Sequence, residues 1–267
     1  MTAGTLGGRI AGATLITLLV IFLIAPLLVV VLMSFTDQLY LAFPPTELVL
    51  RWYRALLDDP RWLQAGWNSI VIGTMTAALS MLLGTMSALA VTRSGRAWIQ
   101  PIGSLIVAPM MLPHVIIAIG LYPTMLDLGL NSTYAAVIIG HAVVATPLVF
   151  TTVTAALRGY DPALELAAMT LGANGWRSFR YVTLPMIGSG LAVGGIFAFA
   201  VSFDELMLAL FLANPRTETL PRLLWEHLSQ TITPVIAAVA TMVLLFTSLL
   251  LSAAVLLRRP DAEDPAT

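Results

Sequence analysis

The chain contains no cysteine, which excludes disulfides and thiolate metal sites. Lysine is absent as well: all 13 basic residues are arginine. A Gly-rich phosphate loop grips its nucleotide with a lysine, so no standard ATP site is available. Any ATP-driven activity therefore needs a partner chain. Charge of either sign is scarce. Asp, Glu, Lys and Arg make up 10% of the residues, against about 25% in a soluble globule, whose solvated surface requires them. A net charge of −1 offers no basic field for nucleic acid and no polybasic lipid anchor. No H-E-x-x-H pair occurs, and no Ser/His/Asp set falls on facing helices, which argues against an intramembrane enzyme.

What fills the sequence is apolar. Hydrophobic residues are 58% of the 267, with mean hydropathy +0.91, so most side chains face lipid or other helices. A spanning helix needs about 20 mostly apolar residues, and six stretches qualify: Ile10–Phe35, Ala65–Thr92, Trp98–Tyr122, Asn131–Leu157, Met186–Ala213 and Ile232–Leu257. Their apolar character is continuous, without the alternation of barrel strands. The expected fold class is an all-α, polytopic membrane protein, one domain over residues 1–267. Arg9 ahead of the first stretch also suits a signal peptide. However, the apolar run continues past Pro26 to Phe35 without a nearby small-residue cleavage site, so a retained helix is expected.

Six spans put both termini on one side of the membrane. With that side cytoplasmic, the inner segments carry Arg9, Arg93, Arg96, Arg158, Arg177, Arg180, Arg258 and Arg259. The outer loops carry Arg51, Arg54, Arg61, Arg216 and Arg222, a modest bias in the direction of the positive-inside rule. The first outer loop, residues 36–64, and the helix start after it bring Trp52, Tyr53, Trp62 and Trp67 near helix ends, as an interfacial belt or a partner contact. The outer loop 214–231 carries Pro215 and Pro221. Pro109, Pro113, Pro123 and Pro147 are placed to bend helices. Gly73, Gly84, Gly188, Gly190, Gly194 and Gly195 suit close helix packing.

The inner loop, residues 158–185, is the most informative segment. Asp161-Pro162 reads as an N-cap acceptor followed by proline at the first helical position. Ala163–Leu171 is rich in helix formers, with Leu164, Ala167, Ala168 and Leu171 at spacings of three and four, and Gly172 can take the positive φ that stops a helix. A second amphipathic stretch, Trp176–Val182, leads to Leu184-Pro185. The product is a helix–turn–helix outside the membrane, joined to two spans.

This segment resembles the EAA loop of ABC importer permeases through Ala167, Ala168, Leu171, Gly172, Ala173, Val182, Leu184 and Pro185. One position departs from that pattern: Leu166 stands where the family carries its Glu, and Glu165 falls one residue earlier. A one-residue shift turns a helical side chain by about 100°. The likeness extends to Asn68-Ser69, Gly84, Ala108-Pro109 with Pro113, His141 with Pro147, Ser202-Phe203-Asp204-Glu205, Thr219-Leu220-Pro221 and Pro234. It covers residues 60–257 and is similar to the second permease of spermidine/putrescine importers.

The resemblance implies a type I ABC importer permease fold in a bacterial inner membrane. It implies a chain that is not itself an enzyme and holds no cofactor, with ATP and Mg on a cytoplasmic ATPase dimer. A second, non-identical permease and an extracytoplasmic solute-binding protein complete the implied assembly. The loop would dock the ATPase, with Glu165, Ala167, Ala168, Leu171, Gly172, Ala173, Trp176 and Phe179 as the coupling residues. The small residues allow close backbone approach, and Trp176 and Phe179 are suited to buried anchors.

Ionisable residues within a span cost about 2.5–3.5 kcal/mol, which singles out Asp204 and Glu205 as substrate-pathway or gate residues, with Phe203 and His141 beside them. A carboxylate there suits a cationic solute such as a polyamine; an outer-gate pair, or hydrogen bonds to neighbouring helix ends, suits it as well. His114 and His141 lack companion ligands at metal spacing, and a lone intramembrane His is expected as an interhelical hydrogen-bond partner. Two other readings stay open. One is an importer permease for an amino-acid-like, phosphonate or opine-type solute. The other is an ion-coupled secondary transporter, which commonly shows internal repeats and several buried acids. No clear repeat is present here.

Overall fold

The computed structural model describes residues 6–94 and 96–257. Arg258 and Arg259, counted in the arginine bias, lie outside the described residues, as does the side chain of Arg9. Among the described residues, four helices are long and apolar enough to cross a membrane unbroken. They are α1 (Leu6–Met33), α3 (Pro60–Arg93), α6 (Tyr134–Arg158) and α13 (Pro234–Leu257). Two bent pairs pass the same test of length and composition when each is taken as one broken crossing, Pro101–Met111 with His114–Asp127 at 104° and Gly175–Met186 with Gly188–Phe203 at 68°.

The stretch expected as one helix over 98–122 is thus interrupted. Helix α4 (Gln100–Val107) runs through a 3₁₀ turn at Ala108–Met111, and α5 (His114–Asp127) begins in a new direction. The cause is local. Leu112 precedes Pro113 and is extended, with φ −95° and ψ 140°, because the proline ring disfavours helical geometry in the residue before it.

The stretch expected as one helix over 186–213 is also divided. A π-helical turn at Phe179–Thr183 and the short α9 (Leu184–Met186) precede α10 (Gly188–Phe203); α11 (Met207–Leu212) follows after Asp204–Leu206. Pro185 explains the first irregularity, since its ring crowds the carbonyl four residues back. The outer segments expected as loops contain α2 (Arg51–Asp58) and α12 (Leu220–Gln230).

Contacts divide the chain into two compact units. The first comprises the chain up to Pro60 with Leu224–Leu245. Its loop after α1 is held by polar contacts: Ser34 Oγ lies 2.6 Å from the Tyr53 hydroxyl, and Trp52 Nε1 donates to the Thr36 carbonyl at 2.7 Å. Trp52 and Tyr53 thus fix the loop, beyond any belt role.

The second unit comprises Arg61–Leu223 and the chain from Phe246, and its centre is α6. Thr133 caps α6, its side chain accepting from the Ala136 N–H at 3.2 Å. Along α3 the buried residues Trp62, Ala65, Ser69, Ile72, Thr76, Ser80, Gly84 and Ala88 recur every three or four positions, a helical stripe turned inward. Trp62 is therefore core, while Trp67 is exposed. One core cluster joins Ile72, Ile117, Val137, Leu208 and Leu212; another joins Ala88, Val149, Phe150, Val153 and Ile187.

Close approach to α6 requires glycine. A Cβ on Gly84 would lie 2.8 Å from Val149 Cβ, and one on Gly190 would lie 2.6 Å from Ala156 Cβ. Gly188, by contrast, meets nothing within 4 Å, so the close-packing expectation does not apply there.

Candidate functional site

Two clusters within the second unit carry the expected site residues. The first is the helix–turn–helix between α6 and α10. Asp161 Oδ1 accepts the Ala163 N–H at 2.8 Å and opens α7 (Ala163–Thr170). Gly172, with φ +91°, ends it: the Gly172 N–H bonds the Met169 carbonyl and the Ala173 N–H the Ala168 carbonyl, each at 3.0 Å. That pair of bonds is a Schellman stop, which needs the left-handed residue glycine supplies. Asn174 then caps α8 (Gly175–Ser178), accepting from the Arg177 N–H at 2.9 Å.

None of the α7 residues is buried. Leu164, Leu166, Met169, Leu171 and Trp176 are exposed, Leu171 to 90%. Ala167 is exposed, while Ala168 and Ala173 are half-buried. Trp176 and Phe179 pack ring against ring at 5.7 Å. Seven of the eight expected coupling residues thus belong to, or flank, an uncovered apolar surface.

Glu165 is the exception. Its carboxylate turns inward, with Oε1 accepting from the Arg93 guanidinium, the Tyr160 hydroxyl and, at 2.8 Å, the Thr183 hydroxyl. Arg93 Nη2 also donates to Thr183 Oγ1 at 3.0 Å. Burial pushes this carboxyl up, but the Tyr160 and Thr183 hydroxyls and the Arg93 charge outweigh it and hold Glu165 below the ordinary carboxylate range. Expected as a coupling contact, Glu165 is engaged with its own chain instead. Arg93, Tyr160 and Thr183 carry no motif, and Arg93 is far from the loop in sequence.

The second cluster lies at the break after α10. Here Asp204 and Glu205 were expected on one continuous helix, and they are not. Asp204 caps α10 and is exposed; Glu205 is buried, with 5% exposure. Glu205 Oε1 accepts the Leu208 N–H at 3.0 Å. In an uninterrupted helix that N–H would bond the Asp204 carbonyl, so the carboxylate replaces a backbone acceptor and accommodates the break. Glu205 Oε2 lies 2.6 Å from His114 Nδ1, at the other span interruption.

His141 is fully buried, its Nδ1 2.8 Å from Ser202 Oγ. It links α6 to α10 and lines no open path here, since burial leaves it no solvent face. Phe203 is buried among Phe199, stacked at 5.8 Å, and Phe246 at 4.8 Å. It is a packing residue in this conformation. Of the four expected pathway residues, the structure leaves Asp204 accessible. Among the described residues, no group of three or more His, Asp or Glu side chains is placed to hold a metal.

The family model described as the binding-protein-dependent transport system inner membrane component matches residues 80–261. The chain is 25% identical to the spermidine/putrescine transport system permease protein PotC of Escherichia coli, over 94% of this chain and 95% of that one. It is 32% identical to the putrescine transport system permease protein PotI of Escherichia coli, over 84% and 82%. Among solved structures, a bacterial ABC transporter involved in import of the acidic polysaccharide alginate superposes with TM-score 0.76 at 17% identity. That match covers 97% of this chain and 100% of the other, a likeness of fold alone.

Proposed function

We propose that this chain, which belongs to the binding-protein-dependent transport system inner membrane component family and is thus a multi-pass permease subunit of an ABC importer, carries small polyamine cations. Its full-length similarity to PotC and its 32% identity to PotI support that cargo. The geometry supports it through one observation. Asp204 is the exposed carboxylate at the break after α10, while its neighbour Glu205 is buried and paired with His114. An accessible carboxylate there attracts an ammonium group by charge.

In this reading the termini and the α7 loop are cytoplasmic, and the uncovered apolar surface of α7 docks a partner ATPase dimer. A second, non-identical permease completes the pathway, and a solute-binding protein delivers the cargo from outside. ATP-driven closure of the ATPases displaces the loop and alternates access.

The test is uptake of labelled putrescine and spermidine by cells lacking this gene, against the parent strain. Amino acids, sugars and phosphonates serve as unlabelled competitors. Uptake lost on deletion, and restored by the wild-type gene, supports the polyamine cargo. Unchanged uptake, once other polyamine importers are deleted, removes that cargo and leaves the permease assignment standing on the family match.

A further inference from the structure

Three spanning elements lead toward α7, and the chain joins it to two of them. Residues 159–162 connect it to α6, and residues 171–187 connect it to α10. Helix α3 has no chain connection to the loop. Its last residue, Arg93, reaches the loop through space to the Glu165 carboxylate. The same oxygen receives Tyr160 from the α6 side and Thr183 from the α10 side. Side chains from all three approaches thus converge on one atom of α7.

We propose that this node carries the displacement of α7 into α3, making Arg93 and Glu165 positioning residues for coupling ATP hydrolysis to transport. The inference rests on the importer reading above and adds residues outside the docking surface. Without the node, α7 still presents Leu164, Leu166, Met169 and Leu171 to a partner, because none of them takes part in it. Movement of the loop then reaches α6 and α10 through the chain, whereas α3 follows only through packing. The permease halves lose their common lever while the ATPases keep their seat.

Three features favour a positioning role over a docking role. Glu165 Oε1 is already occupied by three donors from its own chain. Thr183, which lies within the π-helical turn, is fully buried and out of a partner's reach. The Glu165 side chain is only 16% exposed, although it sits on a helix with no buried residue.

The experiment uses the whole importer in proteoliposomes: this chain, its partner permease, the ATPases and the solute-binding protein. Solute moved per ATP hydrolysed is compared for wild type, Arg93→Gln, Glu165→Gln, Thr183→Val and the reciprocal pair Arg93→Glu with Glu165→Arg. The ATPase is expected to co-purify with Arg93→Gln at the wild-type amount. Transport per ATP is expected to fall roughly tenfold in Arg93→Gln and Glu165→Gln and less in Thr183→Val, with the reciprocal pair regaining most of the loss, as for directly coupled residues. A wild-type ratio in all three single variants overturns the proposal. So does loss of ATPase from Arg93→Gln, which would make the node part of docking or folding. A wild-type chain that fails to retain any ATPase overturns the importer reading itself, before the variants are compared.

Discussion

The imidazole Nδ1 of His114 lies 2.6 Å from Oε2 of Glu205, which bonds the first residue of α5 to the break between α10 and α11. Both residues stand where a helix is interrupted, so the two interruptions are fixed to each other. The Glu205 carboxylate is buried and also accepts the Leu208 N–H. Replacing His114, whose side chain is 40% exposed, with alanine leaves the Glu205 carboxylate with entering water in place of a fixed donor, which costs about 1 kcal/mol. The His114→Ala protein in detergent is expected to unfold at a lower temperature than wild type, and His114→Gln to lie between them. Equal midpoints for all three would show that this contact does not hold the breaks together.

Asp204 separates from its neighbour by the same comparison. It is exposed and caps α10, so Asp204→Asn is expected to change stability by less than about 0.5 kcal/mol. If it attracts the cargo cation, uptake measured across solute concentrations will show a raised KM for putrescine. Glu205→Gln, in contrast, is expected to lower thermal stability as His114→Ala does. An Asp204→Asn protein with unaltered KM and rate removes Asp204 from the pathway.

These two carboxylates mark the limit of what the sequence discloses. Six apolar stretches, the helix–turn–helix of residues 158–185 and its glycine stop are all legible, because apolar length, capping residues and a positive-φ glycine are local signals. The break at Leu112 is legible in part: Pro113 is readable as a bend, and only the size of that bend, 104°, is not. The break after Phe203 has no such marker; it depends on Glu205 accepting an N–H and meeting His114, 91 residues away. Glu165 is similar. Its position one residue off the EAA pattern is readable, but its partners Arg93 and Thr183 come from 72 and 18 residues away. Long-range pairing of single polar residues leaves no periodic trace.

Gly190 tests the packing of the second unit. A Cβ there would lie 2.6 Å from Ala156 Cβ and 3.0 Å from the Thr152 carbonyl oxygen, and a backbone atom cannot rotate aside. Gly190→Val therefore forces α10 away from α6, at a cost of about 1–3 kcal/mol or more. The expected result is a lower thermal midpoint in detergent. Gly188→Ala, where nothing lies within 4 Å, is expected to change stability by less than about 0.5 kcal/mol and so to leave the midpoint near that of wild type. Similar losses for both would contradict the close α6–α10 approach.

Gly172 tests the loop independently of the core. Nothing lies within 4 Å of its would-be Cβ, so only its φ of +91° resists substitution. Alanine there costs about 1–2 kcal/mol, and a β-branched residue costs more. Gly172→Val is expected to insert into the membrane normally, because no span depends on it. Its α7 stop is displaced, so the ATPase recovered with it and the transport rate both fall. Normal transport by Gly172→Val would contradict the importance of this turn.

The charge on Glu165 predicts a pH dependence with a definite sign. Its carboxyl is held below the ordinary range, the raising effect of burial being outweighed by Tyr160, Thr183 and Arg93. A group lowered in the folded state adds stability that is complete above its unfolded value, about pH 4.3, and is lost as pH falls through the lower folded value. Wild type and Glu165→Gln are therefore expected to differ most in thermal midpoint near neutrality and to converge on acidification. A gap that keeps its size down to about pH 3 would mean that the glutamate contributes through shape and neutral hydrogen bonds, because a charge-dependent contribution must vanish once the carboxylate is protonated.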